Sequence, residues 1–224
     1  MPTTSEELIQ LTRQTLDDSI EPYLVSEEQI LVALDRAQRE FVDRTLCLQT
    51  HSYELAVTAG QPLTWLEAEI LQVRSIILHD QPLNIRTMRE MGQGYTVMDY
   101  GLRVRKDWPS LTGTPQCAVT DAQDGAIRWV PVPEQDGTAY MDAYIYPPLL
   151  RDGEDPAIPQ RWRSDLVSGA VMHLYRQRDT EVFDPRASES WMMIWQRALA
   201  EAYAFTQRNQ RGAQAAQFNQ NGVW

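Results

Sequence analysis

The residues able to act as nucleophiles, bases or metal ligands are few in this chain, and their spacing does not gather them. His51, His79 and His173 show no metal-ligand spacing, either among themselves or with Cys47 and Cys117. The two cysteines lie far apart and form no CxxC pair, so two reduced thiols without a framework role are expected. "GQG" at 92–94 is too short for a dinucleotide fingerprint. A GxxxxGKS/T phosphate loop and a G-x-S-x-G nucleophile elbow are both missing from the sequence. Asp17 and Asp18 are adjacent, but neighbouring positions on a helix diverge by about 100°, so the pair reads as a solvated helix end. Trp191 and Trp195, one helical turn apart, fit a core or a packing surface better than a ligand cage. Neither cofactor, metal nor catalytic set is expected, and the chain reads as a protein of surfaces rather than an enzyme.

Charge narrows the partners. The 224 residues carry a net charge of −11, with acids concentrated in the first two thirds, and nothing acidic follows Glu201 except the terminal carboxylate. Such a chain does not bind nucleic acid by neutralising phosphates, which takes clustered Lys and Arg. Lys106 is the only lysine, and arginine supplies the other basic side chains. No run of 18 apolar residues exists and "MPTTSEELIQ" lacks a signal-like h-region, so neither membrane insertion nor conventional export is expected.

The elements that would present these surfaces change character twice along the chain. "TSEE" at 4–7 has capping-box spacing, and Leu8, Leu11, Leu16 and Ile20 give a helical stripe that Pro22 ends. "SEEQ" at 26–29 repeats the signal for a second helix to about Leu46, with Ile30, Leu34, Ala37 and Phe41 on one face. From Tyr53 the pattern becomes that of strands: "YELAVTAGQPL", "ILQVRSIIL", "YTVMDYGLRVR", "QCAVTD", "AIRWVPV" and "TAYMDAYIY". Gly113-Thr114-Pro115, Asp124-Gly125 and Asp136-Gly137 supply turns, and "MREMGQG" is a short helix or loop tip. Prolines 147, 148, 156 and 159 then form an extended connector. A third helix follows with Trp162, Leu166, Ala170 and Leu174; Asp184 caps and Pro185 opens a fourth.

The predicted fold is therefore α+β. A helical bundle of two amino-terminal and two carboxyl-terminal helices (residues 1–48 and 149–206) carries an inserted antiparallel β-sandwich or barrel (49–148). Residues 207–224, "QRNQRGAQAAQFNQNGVW", are too polar to bury a core and read as an extended tail. In that tail Arg208 and Arg211 are candidate partners for carboxylates, and Phe218, Val223 and Trp224 are candidate apolar anchors.

"LTRQTLDDSIEPYLVSEEQILVALDRAQREFVDRT" resembles the opening of the tailed-phage adaptor proteins, the head-to-tail connectors. Leu16, Asp17, Asp18, Pro22, Tyr23, Leu24, Ser26, Glu27, Glu28, Ala37, Gln38, Arg39 and Glu40 fall on that pattern, and Val25 replaces its usual tryptophan. "VTAGQPL", "LTGTPQCAV", "DGTAYMDAYIYPPL" and "DPAIPQRWRSDLVSGAVMHLYRQRDTEVFDP" resemble the family's β-region and its return to helix. The resemblance runs from residue 8 to about residue 200. It implies a ring of about twelve copies at the virion's head–tail junction, assembled in the host cytoplasm. The partners implied are the portal protein, further copies of the chain and the tail nozzle or tube, with DNA only passing through. A stopper or head-completion ring of a long-tailed phage, and a carbohydrate-binding tail component, are the alternatives.

Overall fold

The structure, a computed structural model, describes residues 4–92, 95–96, 104–105, 108–178 and 181–220. For residues 95–96, 104–105 and 210–220 it describes the backbone alone. It is mixed α+β and divides into two compact units, Met1–Leu48 with Tyr146–Trp224, and Gln49–Ile145.

The first unit holds α1 (Ser5–Thr15), α2 (Glu27–Thr45), α4 (Leu166–Arg176) and α5 (Pro185–Gln220). Both amino-terminal signals operate. Thr4 Oγ1 accepts from the Glu7 N–H, and Ser26 and Gln29 exchange both bonds of a capping box. α1 stops at Thr15, a turn earlier than its apolar stripe predicts, and Ile20 stands 84% exposed. The cause is local. Asp17 takes a left-handed φ of 55°, and the Asp18 carboxylate turns away to bind the following loop. Before α4 the chain makes a six-residue 3₁₀ helix, Gln160–Asp165, after Pro159. Asp184 caps α5 by accepting from the Arg186 and Ala187 N–H groups at 2.9 and 3.1 Å.

The stripes of the four helices close on one core. Leu8, Ile30, Leu34, Phe41, Leu166, Leu174 and Trp195 are buried in a single cluster, joined by Leu150 and Ile158 of the proline connector. α2 packs against α4, α5 lies across both, and α1 packs on α4 and α2. At the crossing Gly169 of α4 admits close approach. A Cβ there would sit 2.9 Å from the Ala37 Cβ and 3.0 Å from Trp195 Cε2.

Residues 207–220, expected to be an extended tail, continue α5 instead. Composition misled here, because Gln, Ala and Arg are good helix formers even where they bury nothing. Adding residues to a helix already nucleated by Trp195 and Ala202 avoids the nucleation cost.

The second unit is built from β1 (Gln49–Val57), β2 (Leu63–Trp65), β3 (Ile70–Leu78), β4 (Gln81–Pro82), β5 (Asn84–Arg86), α3 (Met88–Gly92), β6 (Tyr95–Thr96), β7 (Val104–Arg105), β8 (Thr112–Gly113), β9 (Cys117–Val119), β10 (Ala126–Val130), β11 (Val132–Pro133) and β12 (Gly137–Ile145). One sheet has the order β1-β12-β3-β4 and is antiparallel throughout. Its long strands alternate as a half-buried sheet should, with Leu55 and Val57, Ile76 and Leu78, and Ala139, Met141 and Ala143 turned inward. The other has the order β2-β10-β9-β5. Ile127, Trp129 and Ala118 join the first sheet's inward residues, whereas Val130, Cys117 and Val119 face a second small core with Met91 and Trp108. Burial on both faces fits the near-continuous apolar character of β9 and of β10 apart from Arg128.

Two details depart from the sequence reading, and a third, at "MREMGQG", agrees with it. β5 pairs with β9, and β8 with β11, in parallel, where antiparallel connections alone were expected. The stretch "YTVMDYGLRVR", read as one strand, contains the two short strands β6 and β7, paired antiparallel; its other residues lie outside the described ones. "MREMGQG" opens as α3 to Gly92, and the remainder of "GQG" lies outside the described residues.

Candidate functional site

The possible sites for small-molecule chemistry are separate and open. Glu67 and Glu69 stand close enough that Glu67 raises the Glu69 carboxyl pKa. Burial, with Glu67 alongside, pushes Tyr53 up to about 12. His51 Nδ1 lies 3.4 Å from Asp142 Oδ1, and Asp142 also accepts from the Ser52 N–H at 3.2 Å and the Ser75 hydroxyl at 3.1 Å. That serine, histidine and aspartate do not form a nucleophile relay, because the serine hydroxyl is spent on the carboxylate rather than on the imidazole. They staple the bulge at Thr50–Tyr53 to β12. His79 occupies a left-handed position (φ 51°) in the β3–β4 turn, beside Asp80 at φ 60°. Among the described residues no group of three or more His, Cys, Asp or Glu is placed to hold a metal ion. Neither Cys47 nor Cys117 is in a disulfide among the described residues, and burial raises the Cys47 thiol pKa.

Two grooves mark the second unit. One, of about 440 Å³, lies between the β4–β5 stretch and β9, with Pro82, Arg86 and Pro115 on its walls. The other, of about 270 Å³, adjoins it at His79 and Thr114. Among the described residues His79 lines both, and no Phe, Tyr or Trp lines either. Trp65 and Tyr140 are exposed and line neither groove.

The residues on which the adaptor resemblance rests do come together, and they act as fasteners. Asp18, expected to be solvated, is 3% exposed. Its carboxylate accepts from the Leu24 N–H (2.8 Å) and the Val25 N–H (3.1 Å) and pairs with Arg13 at 3.2 Å. Arg13 also donates to the Val25 carbonyl (2.9 Å) and stacks 3.9 Å over the Tyr23 ring. Asp17, Asp18, Tyr23 and Leu24 thus define one locked loop between α1 and α2. The divergence expected of the aspartate pair is real, since Asp17 is exposed while its neighbour is buried.

The "AQRE" stretch of α2 does the same for the connector. Gln38 Nε2 donates to the Pro148 carbonyl (3.2 Å) and its Oε1 accepts from the Ala157 N–H (2.8 Å), so one amide holds both limbs of the proline-rich segment. Asp35 accepts from the Leu150 N–H (2.9 Å) and pairs with Arg39 (2.9 Å). Ala37 is small where Gly169 passes. Glu40 Oε2 lies 3.4 Å from His173 Nε2. His173 holds the Glu40 carboxyl pKa below its ordinary value against the opposing effect of burial, and Trp195 and Arg44 add to the lowering. Asp35 and Gln38 went unread as fasteners; their signal was two polar residues on the buried stripe of a helix, which must find partners.

α5 has a buried and an exposed side. Trp195, Ala198, Leu199 and Ala202 face the core, leaving Met193, Ile194 and Tyr203 exposed. Arg197 pairs with Glu201 at 3.0 Å on the outer side. Arg208, the first of the tail candidates, is exposed and its Nε donates to the Ala204 carbonyl at 3.2 Å. Arg211 and Phe218 have only their backbone described, within α5, and Val223 and Trp224 lie outside the described residues.

The motif residues thus fasten loops and helices, and the class of protein is shown by comparison with known families. Residues 3–220 match the family model described as SU10 adaptor protein, and the chain belongs to that family of phage adaptor proteins. No curated protein matches it. Among the described residues no helix is long and apolar enough to cross a membrane.

Proposed function

We propose that the protein is a non-enzymatic head-to-tail adaptor of a tailed-phage virion. About twelve copies form a ring that docks on the portal and offers a platform to the tail nozzle or tube, with DNA passing through the channel. Family membership over nearly the whole chain carries this reading. The net charge of −11 supports it, because an acidic lumen repels the DNA backbone and lets the polymer slide without sticking.

Residues 207–224 are the element we assign to the portal, with Arg208 and Arg211 meeting carboxylates and Phe218, Val223 and Trp224 acting as anchors. α5 has 36 residues, a length of about 54 Å at 1.5 Å per residue. Among the described residues its last buried core position is Ala202, and Phe205 still packs against Trp162 and Arg161, so the stretch beyond is the part proposed to serve a partner. Weak single contacts would be multiplied by the ring.

The experiment is a chain ending at Thr206, offered to portal-bearing heads in a co-sedimentation assay. It should keep its melting temperature and fail to attach. Attachment equal to that of the full chain would overturn the assignment of the tail, and full-length protein that ignores portal-bearing heads would overturn the adaptor reading itself.

A further inference from the structure

Two features of the first unit are complementary and sit at opposite ends of one helix. The loop before α2 carries Ile20 at 84% exposure, the most exposed large apolar side chain among the described residues, with Glu21 directly after it. That loop is held rigid by Asp18 and Arg13, so a side chain at its tip is presented rather than left to sample conformations. At the other end of α2 a groove of about 360 Å³ opens between α2 and α5, lined by Glu40, Arg44, Gln196, Leu199, Ala200 and Tyr203. Its floor is apolar, at Leu199 and Ala200. Glu40 already faces His173, which leaves Arg44 as the cation at the mouth.

We propose that the groove takes the Ile20 loop of a second copy of this chain, with Ile20 on Leu199 and Ala200 and Glu21 meeting Arg44. The loop cannot fill its own groove. From Glu28 to Arg44 α2 rises about 24 Å, and the Asp18 lock fixes the loop at the far end. Knob and hole are therefore different patches of one molecule. An association in which each copy's loop enters the next copy's groove is heterologous, and it closes into a ring if the rotation per copy permits; wild type that stops at a reciprocal dimer would show the same contact without the ring. Two like loops brought face to face would set acidic loop against acidic loop, so a loop is matched by a groove and not by another loop. Between Thr4 and Glu28 the exposed charges are all carboxylates: Glu6, Glu7, Asp17, Glu21, Glu27 and Glu28. This contact rests on the reading of the chain as a ring-forming adaptor and specifies which residues make the ring.

The test uses two full-length variants, Ile20→Asp, which spoils the knob, and Ala200→Trp, which fills the hole. Both positions are exposed, so native melting temperatures are expected; should Ala200→Trp melt lower, Tyr203→Asp takes its place. By sedimentation velocity each variant alone should self-associate at least about tenfold more weakly than wild type, the loss expected for one large aliphatic contact. An equimolar mixture retains one good knob and one good hole, so it should form a one-to-one dimer and stop there. A mixture that stays monomeric while the wild type assembles overturns the contact, as do variants that assemble like wild type. Wild-type protein that is monomeric at about 100 μM, where even a weak association registers, also overturns it; portal binding by that monomer would leave the adaptor reading standing.

Discussion

Gly169 is the position at which one methyl group should matter most. Replacing it with alanine removes a glycine from the interior of α4, which by helix propensity alone should stabilise by about 1 kcal/mol. The packing argues the other way. The new Cβ would lie 2.9 Å from the Ala37 Cβ and 3.0 and 3.1 Å from Trp195 Cε2 and Cδ2, against about 3.5–4.0 Å for comfortable carbon contact. None of these neighbours is a flexible tip. The Ala37 Cβ is fixed to the α2 backbone, and Trp195 is 1% exposed with no room to turn. α2 or α5 must move, and overpacking of this kind costs about 1–3 kcal/mol. The net expectation for Gly169→Ala is a loss of about 1 kcal/mol, and for Gly169→Val about 3 kcal/mol or more. In a domain of this size the alanine variant should melt about 2–4 °C lower. Urea denaturation followed by circular dichroism, with tryptophan fluorescence reporting Trp195, measures it. Ala37→Gly placed in the Gly169→Ala background should recover part of the loss, giving a coupling that opposes simple addition. Gly169→Ala melting at or above wild type would show that the crossing is looser than these distances and would refute the reasoning.

Three further outcomes follow from the same geometry. Asp18→Ala strands the Arg13 guanidinium and two N–H groups, and should cost about 3 kcal/mol in urea titration; a cost under about 1 kcal/mol would mean that water replaces the carboxylate. Asp80→Gly relieves a left-handed residue at the β3–β4 turn and should stabilise by about 1 kcal/mol, which a lowered melting temperature would contradict. Glu40 is lowered from 4.5 chiefly by His173, so its stabilising contribution is complete above pH 4.5 and is lost as pH falls through the lower folded value. Glu40→Gln should therefore flatten the acid limb of the stability profile below about pH 4.5, and parallel acid limbs in variant and wild type would remove the pair from the account.

Legibility followed the physics of each signal. The stripes of α2 and α4 and the caps at Thr4, Ser26 and Asp184 were readable, because periodicity and capping are encoded within a few residues. The true end of α1 was not, because it depends on a carboxylate at Asp18 reaching forward to Leu24 and Val25, a competition between side chain and backbone that a stripe does not register. β5 and β8 escaped as parallel partners, since strands of two or three residues carry no alternation. The helicity of 207–220 was hidden by composition, which reports what a segment cannot bury but not what its backbone does. Of the surface proposed for assembly, Arg208 was named from the sequence as part of an extended tail, and the helix that carries it was not read that far. The Ile20 knob was not visible: its side chain fitted the α1 stripe, and only the early stop of the helix turns it outward.

The strand pairing of the second unit has an evolutionary consequence. β1 and β12, its first and last strands, are hydrogen-bonded neighbours, with Gln49 opposite Tyr144. The chain therefore enters and leaves the unit through adjacent points about 5 Å apart. To the helices on either side the intervening sequence counts as a short tether, whatever its length, because loop closure is settled locally by that pair of strands. Such a unit can be enlarged, trimmed or exchanged in one recombination event without re-solving the packing of Phe41, Gly169 and Trp195. Members of the family that face different tails are then expected to diverge most between these two strands and least at the fasteners of α2.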